Sequence, residues 1–452
     1  MTTNEKKLFE SGLYFFGKLT PIQKMLLKDD HRIIVNAGGR RSRKTLLNSY
    51  KIFMKAMEVE GNYFQAAPTQ TQAMSIFYKS LYRKGKITGT IAKTIESMHN
   101  AYIEFVNGST IHIIGLDKPQ RIEGRPWDGC HITEIPDIKD GAWEENIRPV
   151  LSDTNGFAYL DGVPDYKHPH YKDLCEYAAG GELPEPQPLY GGYSENPNDN
   201  EWAFYTWLSS DVLAESEINK LKSSYSKLIY QQEFEGRFIT QGGRVYYAYT
   251  DKNYTKETYN PHRETYLCYD FNVNPMTVVM VQEMPQQGDG QERYTAVKEF
   301  VIYDSNTLRT SHTVDKFLKE NHHQATLSIT GDYSGIGRHA SGSATNYSII
   351  EDVFRNYHGY NRKISHIKSI SNRVDSLNYM FEDYTGNIRL FVNPEQCPYL
   401  HKDLLRQVRK ENATAGFLND EGGKIGHRSD ALSYFAYNYH FIGANKRNFA
   451  SY

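Results

Sequence analysis

The stretch Asn36-Ala37-Gly38-Gly39-Arg40-Arg41-Ser42-Arg43-Lys44-Thr45 follows the apolar run Ile33-Ile34-Val35 and leads into a helical pattern from Leu46. Strand, glycine-bearing loop and helix, in that order, make a cradle for phosphate. Successive backbone N–H groups point inward, and the helix N-terminus adds a partial positive charge. Gly38, Gly39, Arg40, Ser42, Arg43, Lys44 and Thr45 are the candidate lining. Lys44 has the reach for the β- and γ-phosphates of a nucleotide, and the Thr45 hydroxyl suits its Mg²⁺. One position departs from the G-x-x-x-x-G-K-[ST] pattern: Arg43 stands where a glycine precedes the lysine. A side chain there needs a backbone conformation that glycine adopts more freely.

Upstream, Thr20-Pro21-Ile22-Gln23 reads as a helix start, with Thr20 as cap and Pro21 in the first turn. The Gln23 amide offers a donor and an acceptor, the pair that reads an adenine edge, and Tyr14 to Phe16 are its stacking partners. Downstream, residues 62–67 form a second strand, broken at Pro68-Thr69 and followed by a helix through about Tyr82. Residues 101–106 and 110–114 make a hairpin around Asn107-Gly108. Strands alternating with helices predict an α/β sheet with ligands at the carboxyl ends of its strands.

Gly129-Cys130-His131-Ile132-Thr133-Glu134 is a further strand ending in acid. A nucleotide-hydrolysing site needs such an acid to position or deprotonate the attacking water. Glu134 is assigned that role, and Thr133 stands where a metal-side acid would precede it. The strand at 157–161 runs into Gly162-Val163-Pro164, a relay from nucleotide to a moving part. Arg121 and Arg125 are candidate arginine fingers. Residues 183–200 read as loop and 201–235 as helical, and the pattern restarts after Gly236. The expected organisation is a nucleotide-binding domain at 1–235, a linker at 236–262, a second domain at 263–440 and a tail at 441–452.

The second half carries its own acids. Asp270 ends a strand, 277–283 and 294–302 complete a meander, Asp332 ends a later strand, and Asp430 lies in the first turn of the helix that His427 opens. Two divalent cations roughly 3.5–4 Å apart over a scissile phosphate need several converging carboxylates, and hard oxygen ligands select Mg²⁺ or Mn²⁺. This is the layout of an RNase H-like nuclease, with Asp270, Asp332 and Asp430 as metal ligands. Glu299 is an outer-shell candidate, and His427 orients water or phosphate. Arg362, Lys363, His366, Lys368 and Arg373, then Lys402, Arg406, Arg409 and Lys410, are basic enough to follow a duplex backbone.

Composition agrees with a soluble, multi-domain chain: 452 residues with 13% aromatics. A net charge of −2 excludes a surface that is basic throughout but leaves room for a local track. No apolar run is long enough to span a bilayer, and the polar start Met1–Glu10 is unlike a signal peptide. Cys130, Cys175, Cys268 and Cys397 are far apart and read as reduced thiols in a cytosolic protein.

A G-G-R-x-S-x-K-T loop in an α/β nucleotide domain, joined to an RNase H-like domain ending in H-x-S-D-A, resembles the large terminase subunit of tailed bacteriophages. The likeness runs from Leu19-Thr20-Pro21-Ile22-Gln23 through Ala66-Ala67-Pro68-Thr69 and the strand before Glu134 to the three nuclease acids. It implies a P-loop (RecA/ASCE-like) ATPase domain that packages double-stranded DNA and a metal-dependent endonuclease domain. Lys44 and Thr45 match the nucleotide-binding pair, Glu134 the catalytic carboxylate, and Gly162 and Pro164 the coupling segment. It further implies Mg-ATP, two Mg²⁺ or Mn²⁺ ions, the procapsid portal protein and a small terminase subunit as partners. The chain is then a pentamer when docked and a monomer in solution, in the host cytoplasm and without membrane contact. Two other readings are a helicase-like repair ATPase with an attached nuclease, and a structural protein that kept the fold without activity.

Overall fold

The computed structural model describes residues 18–98, 100–165, 168–184, 192–239, 243–272, 274–285, 288, 290–337, 344–357, 359, 361–366, 369–409, 417–418 and 426–440. Tyr14 to Phe16, Lys368, Lys410 and the tail from 441 lie outside this range, as does the side chain of Arg409. The chain forms two compact units, Met1–Ile218 with Tyr230–Thr240 and Asn219–Ile229 with Gln241–Tyr452.

The first unit is a nine-stranded sheet. Its strands are β1 (Ile33–Ala37), β2 (Asn62–Ala67), β3 (Ile91–Ile95), β4 (Ala101–Phe105), β5 (Thr110–Gly115), β6 (Gly129–Thr133), β7 (Phe157–Gly162), β8 (Gly192–Glu195) and β9 (Trp202–Thr206), in the order β3-β4-β5-β2-β6-β7-β1-β9-β8. The run β5-β2-β6-β7-β1-β9 is parallel throughout, and antiparallel strands close both edges. Parallel strands are covered on both faces, so they read as continuous apolar runs. β1 shows this: Ile34 joins the core on one face, while Ile33, Val35 and Ala37 join the core on the other. Helices α1 (Pro21–Lys28), α2 (Lys44–Glu58), α3 (Lys79–Thr88) and α4 (Pro169–Ala179) cover the sheet.

The second unit has a six-stranded mixed sheet. It is built from β10 (Thr265–Asp270), β11 (Met276–Glu283), β12 (Tyr294–Ile302), β13 (Leu327–Gly331), β14 (Asn361–Arg362) and β15 (Leu390–Val392), in the order β14-β13-β10-β11-β12-β15. β10, β11 and β12 form an antiparallel meander, and β13 adds parallel to β10. That is the RNase H-like arrangement expected from the sequence. Side chains alternate between two cores, with Tyr266 and Cys268 in one and Leu267 and Tyr269 in the other. Its helices are α5 (Thr307–Glu320), α6 (Asn346–Phe354), α7 (Ile370–Phe381), α8 (Pro398–Arg406) and α9 (His427–His440).

Two expectations change. Residues 201–235 are not all helical: Trp202–Thr206 is a fully buried strand beside β1. An aromatic and β-branched run suits a pleated, buried position better than a helix. The expected linker 236–262 is packed rather than extended, with Val245, Tyr246 and Tyr249 buried in a core of the second unit. All four cysteines are free and buried.

Candidate active sites

The phosphate loop leaves the carboxyl end of β1 and is fixed from several sides. The Gly38 N–H donates to the Gly162 carbonyl at 3.2 Å, which ties the loop to the end of β7. The Ser42 carbonyl accepts from the Trp207 indole at 2.8 Å and from the Gln23 amide at 3.2 Å. The Arg40 carbonyl accepts from the Ser209 hydroxyl at 2.7 Å, and the Arg40 side chain pairs with Glu233. Gly39 is needed for close approach, because a Cβ there would meet the Phe234 carbonyl oxygen at 2.5 Å. Gln23 also accepts from the Thr20 N–H at 3.0 Å in a capping box. Both ends of its amide therefore serve the helix start and the loop, not an adenine ring as the sequence suggested.

Arg43 adopts the left-handed conformation with φ 69°, as does Arg41 with φ 65°. Arg43 thus occupies the backbone state that glycine favours, while its guanidinium donates to the Lys18 carbonyl at 3.1 Å. Lys44 opens α2 and is 5% exposed. The Ser42 hydroxyl and both ends of the Asn36 amide are buried without a partner among the described residues. A bound phosphate is the kind of group such orphans await, so the loop fits a nucleotide.

Beside the loop lies a carboxylate that sequence reasoning placed only in the coupling segment. Asp161, at the end of β7, lies level with Thr133 in the pairing of β6 with β7. Its oxygens meet the hydroxyls of Thr45 and Thr133 at 2.8 and 2.7 Å, the His131 ring at 2.6 Å and the Asn48 amide at 3.0 Å. Burial pushes the Asp161 carboxyl up, but the hydrogen bond and charge of His131, with Lys44 and Thr133, outweigh it and hold the group below the usual carboxylate range. Glu134 follows β6 directly with φ 52°, an outlying conformation of the kind that gathers at functional sites. Gly162 packs against Pro136, whose Cδ would lie 2.4 Å from an added Cβ. The finger candidates are engaged locally: Arg121 pairs with Asp117 at 2.7 Å, and Arg125 lies over the Trp127 ring.

In the second unit α9 is pinned at both ends. Arg428 pairs with Asp403 at 2.6 Å, and the Asn438 amide donates to the Thr330 hydroxyl of β13 at 2.7 Å. This brings Asp430 toward Asp270. Burial pushes the Asp430 carboxyl up to about 6 against the pull of Arg373, and the Asp270 charge adds to the rise. The Tyr434 phenol is raised by burial, against Arg373, and also feels Asp270, Asp430 and Asp332. All three acids therefore lie within electrostatic reach of one ring. Asp270 contacts Asn272 and the His427 ring, the latter at 3.1 Å, and Asp332 accepts from the Ser334 N–H and hydroxyl. Among the described residues, no three His, Cys, Asp or Glu side chains stand close enough to close a metal cage. The donor chemistry suits a hard divalent cation, but here the countercharge comes from Arg373, 2.8 Å from Asp430.

Arg373 is thus buried at the acids rather than displayed to a duplex. Arg362 pairs with Glu351, Lys363 lies over the Tyr439 ring, and Arg406 is exposed at the end of α8. Glu299 is not in the outer shell. Its two oxygens accept the N–H groups of Tyr399 and Leu400, both at 2.8 Å, at the start of α8.

A phosphate loop on a parallel sheet and an RNase H-like sheet edged with acids define a P-loop ATPase architecture joined to a nuclease architecture. The whole chain is similar in fold to the large terminase of a thermophilic bacteriophage in complex with ADP. The TM-score is 0.53 at 16% identity, over 93% of this chain and 99% of that one. The same phage protein in complex with ATP-gamma-S gives a TM-score of 0.53 at 16% identity, over 94% and 100%. No protein-family model and no curated protein sequence matches the chain.

Proposed function

We propose that this chain is the large terminase subunit of a tailed bacteriophage, an ATP-driven motor for double-stranded DNA that also cuts the concatemer. The likeness in fold over nearly the whole of both chains carries this reading, because it spans the two units together. A helicase-like enzyme would need a second RecA-like lobe, and the meander of the second unit is not one.

In the first unit Lys44 meets the β- and γ-phosphates, the loop N–H groups hold the remaining oxygens, and Glu134 takes the proton of the attacking water. Magnesium, when bound with the nucleotide, neutralises charge that develops on the phosphates. Gly162 and Pro164 carry the change onward, since the Gly162 carbonyl is bonded to the loop itself. In the second unit Asp270, Asp332 and Asp430 would hold Mg²⁺ or Mn²⁺, which supplies Lewis acidity at the scissile phosphate. His427 and Asn272 fix the Asp270 carboxylate. Portal protein, small terminase subunit and a docked pentamer belong to this proposal, as does action in the host cytoplasm.

Lys44→Ala is expected to abolish ATP hydrolysis and packaging while leaving Mn²⁺-dependent plasmid nicking. Asp332→Ala is expected to do the reverse at the cutting step. Unchanged nicking by Asp332→Ala would remove that residue from the site, and an inactive wild-type chain in both assays would leave a structural protein.

A further inference from the structure

In a phosphate-loop enzyme the magnesium is held between the loop hydroxyl and an acid at the end of the neighbouring strand. Here that position is Thr133, the last residue of β6. β6 and β7 are parallel neighbours, and Asp161 is the register partner of Thr133. The carboxylate stands one strand over, and a hydroxyl takes its place.

The hydrogen bonds show what Asp161 does there. It is fully buried. Oδ1 accepts from the Thr45 and Thr133 hydroxyls, and Oδ2 meets the Asn48 amide and the His131 ring. A carboxylate has about four acceptor sites, so this one is saturated by protein. It therefore acts through Thr45 rather than as a direct ligand. A hydroxyl has one proton and two lone pairs. With the proton directed to Asp161, the lone pairs of Thr45 are left for a cation at the loop.

We propose that Asp161 is the positioning residue for magnesium at the nucleotide site, taking from β7 the task that Thr133 cannot perform on β6. This rests on the ATPase reading. It also places the cation's anchor one residue before Gly162, whose carbonyl holds Gly38. The metal and the coupling segment thus share one strand.

The test is nucleotide affinity of the full chain, measured with fluorescent mant-ADP in MgCl₂ and in EDTA. Asp161→Asn keeps the size and loses the charge. It is expected to leave affinity in EDTA near the wild-type value and to weaken the magnesium-linked gain by about 10–100-fold, the usual cost of losing a partner behind a metal ligand. The exchange Asp161→Thr with Thr133→Asp is expected to restore the gain. Wild-type magnesium dependence in Asp161→Asn would overturn the proposal. If Asp161→Asn does not fold, the exchange variant decides. Recovered fold and recovered magnesium dependence support the proposal. Recovered fold without the dependence, or no fold in either variant, makes Asp161 structural and overturns it. A wild-type chain that binds no mant-ADP would end the ATPase reading instead, before any variant is compared.

Discussion

Arg43 and Lys84 show how much one residue can impose on the first unit. Left-handed backbone costs an ordinary side chain roughly 1–2 kcal/mol, and a β-branched one more. Arg43 sits at φ 69°, so Arg43→Val should be less stable than Arg43→Gly by about 1–2 kcal/mol in urea unfolding. Equal stabilities would mean that the loop relaxes around the substitution. Lys84 is 2% exposed and donates to the hydroxyls of Ser49 and Ser80, and burial lowers its pKa to about 7. The unfolded lysine keeps its proton to about pH 10.4. Between those values the unfolded state binds more protons, so stability should rise with pH across this window, by an order of a few kcal/mol at most. Lys84→Met should flatten that rise in melts taken from pH 7 to 10. Lys44 and Thr45 were legible in the sequence because a local pattern defines them. Asp161 was not, since its neighbours Thr45 and Thr133 come from α2 and β6 and are joined only by strand register. The burial of Arg373 was hidden for the same reason: its charge suggested surface, and its partner Asp430 lies on another helix.

At the scale of elements, the strands of both sheets followed from apolar runs and turn residues, and the hairpin at Asn107-Gly108 and the meander 265–302 are the clearest cases. Trp202–Thr206 was misread because a short apolar run has no period that separates a buried strand from a helix. The start of α8 shows a long-range cap. Cys397 at its N-cap makes no side-chain hydrogen bond, and Glu299 from β12 accepts the first free N–H groups instead. Burial pushes the Glu299 carboxyl up to about 7, although those N–H bonds pull it down. Glu299→Ala should therefore destabilise the second unit by about 1–2 kcal/mol, the range of a lost cap. The check is denaturant unfolding followed in that unit, and a loss near zero would show that water replaces the carboxylate.

For the whole molecule, the sequence separated two chemistries but not their boundary. Residues 219–229 belong with the second unit and 230–240 with the first. That interleaving depends on which core takes each side chain, as when Tyr379 reaches the Ser223 carbonyl in the second unit. Each unit has its own pair of cores, so each ligand should stabilise the unit that binds it. Ligand at a hundred times its Kd adds about 2.7 kcal/mol to the bound state. Hydrogen exchange should then slow at β1 and α2 with Mg-ADP, and at β10 and α9 with Mn²⁺. Lys44→Ala should erase the first effect alone, and Asp430→Ala the second alone. Manganese protection that survives Asp430→Ala would place the cation away from the three acids, and the cutting reaction would then need another centre.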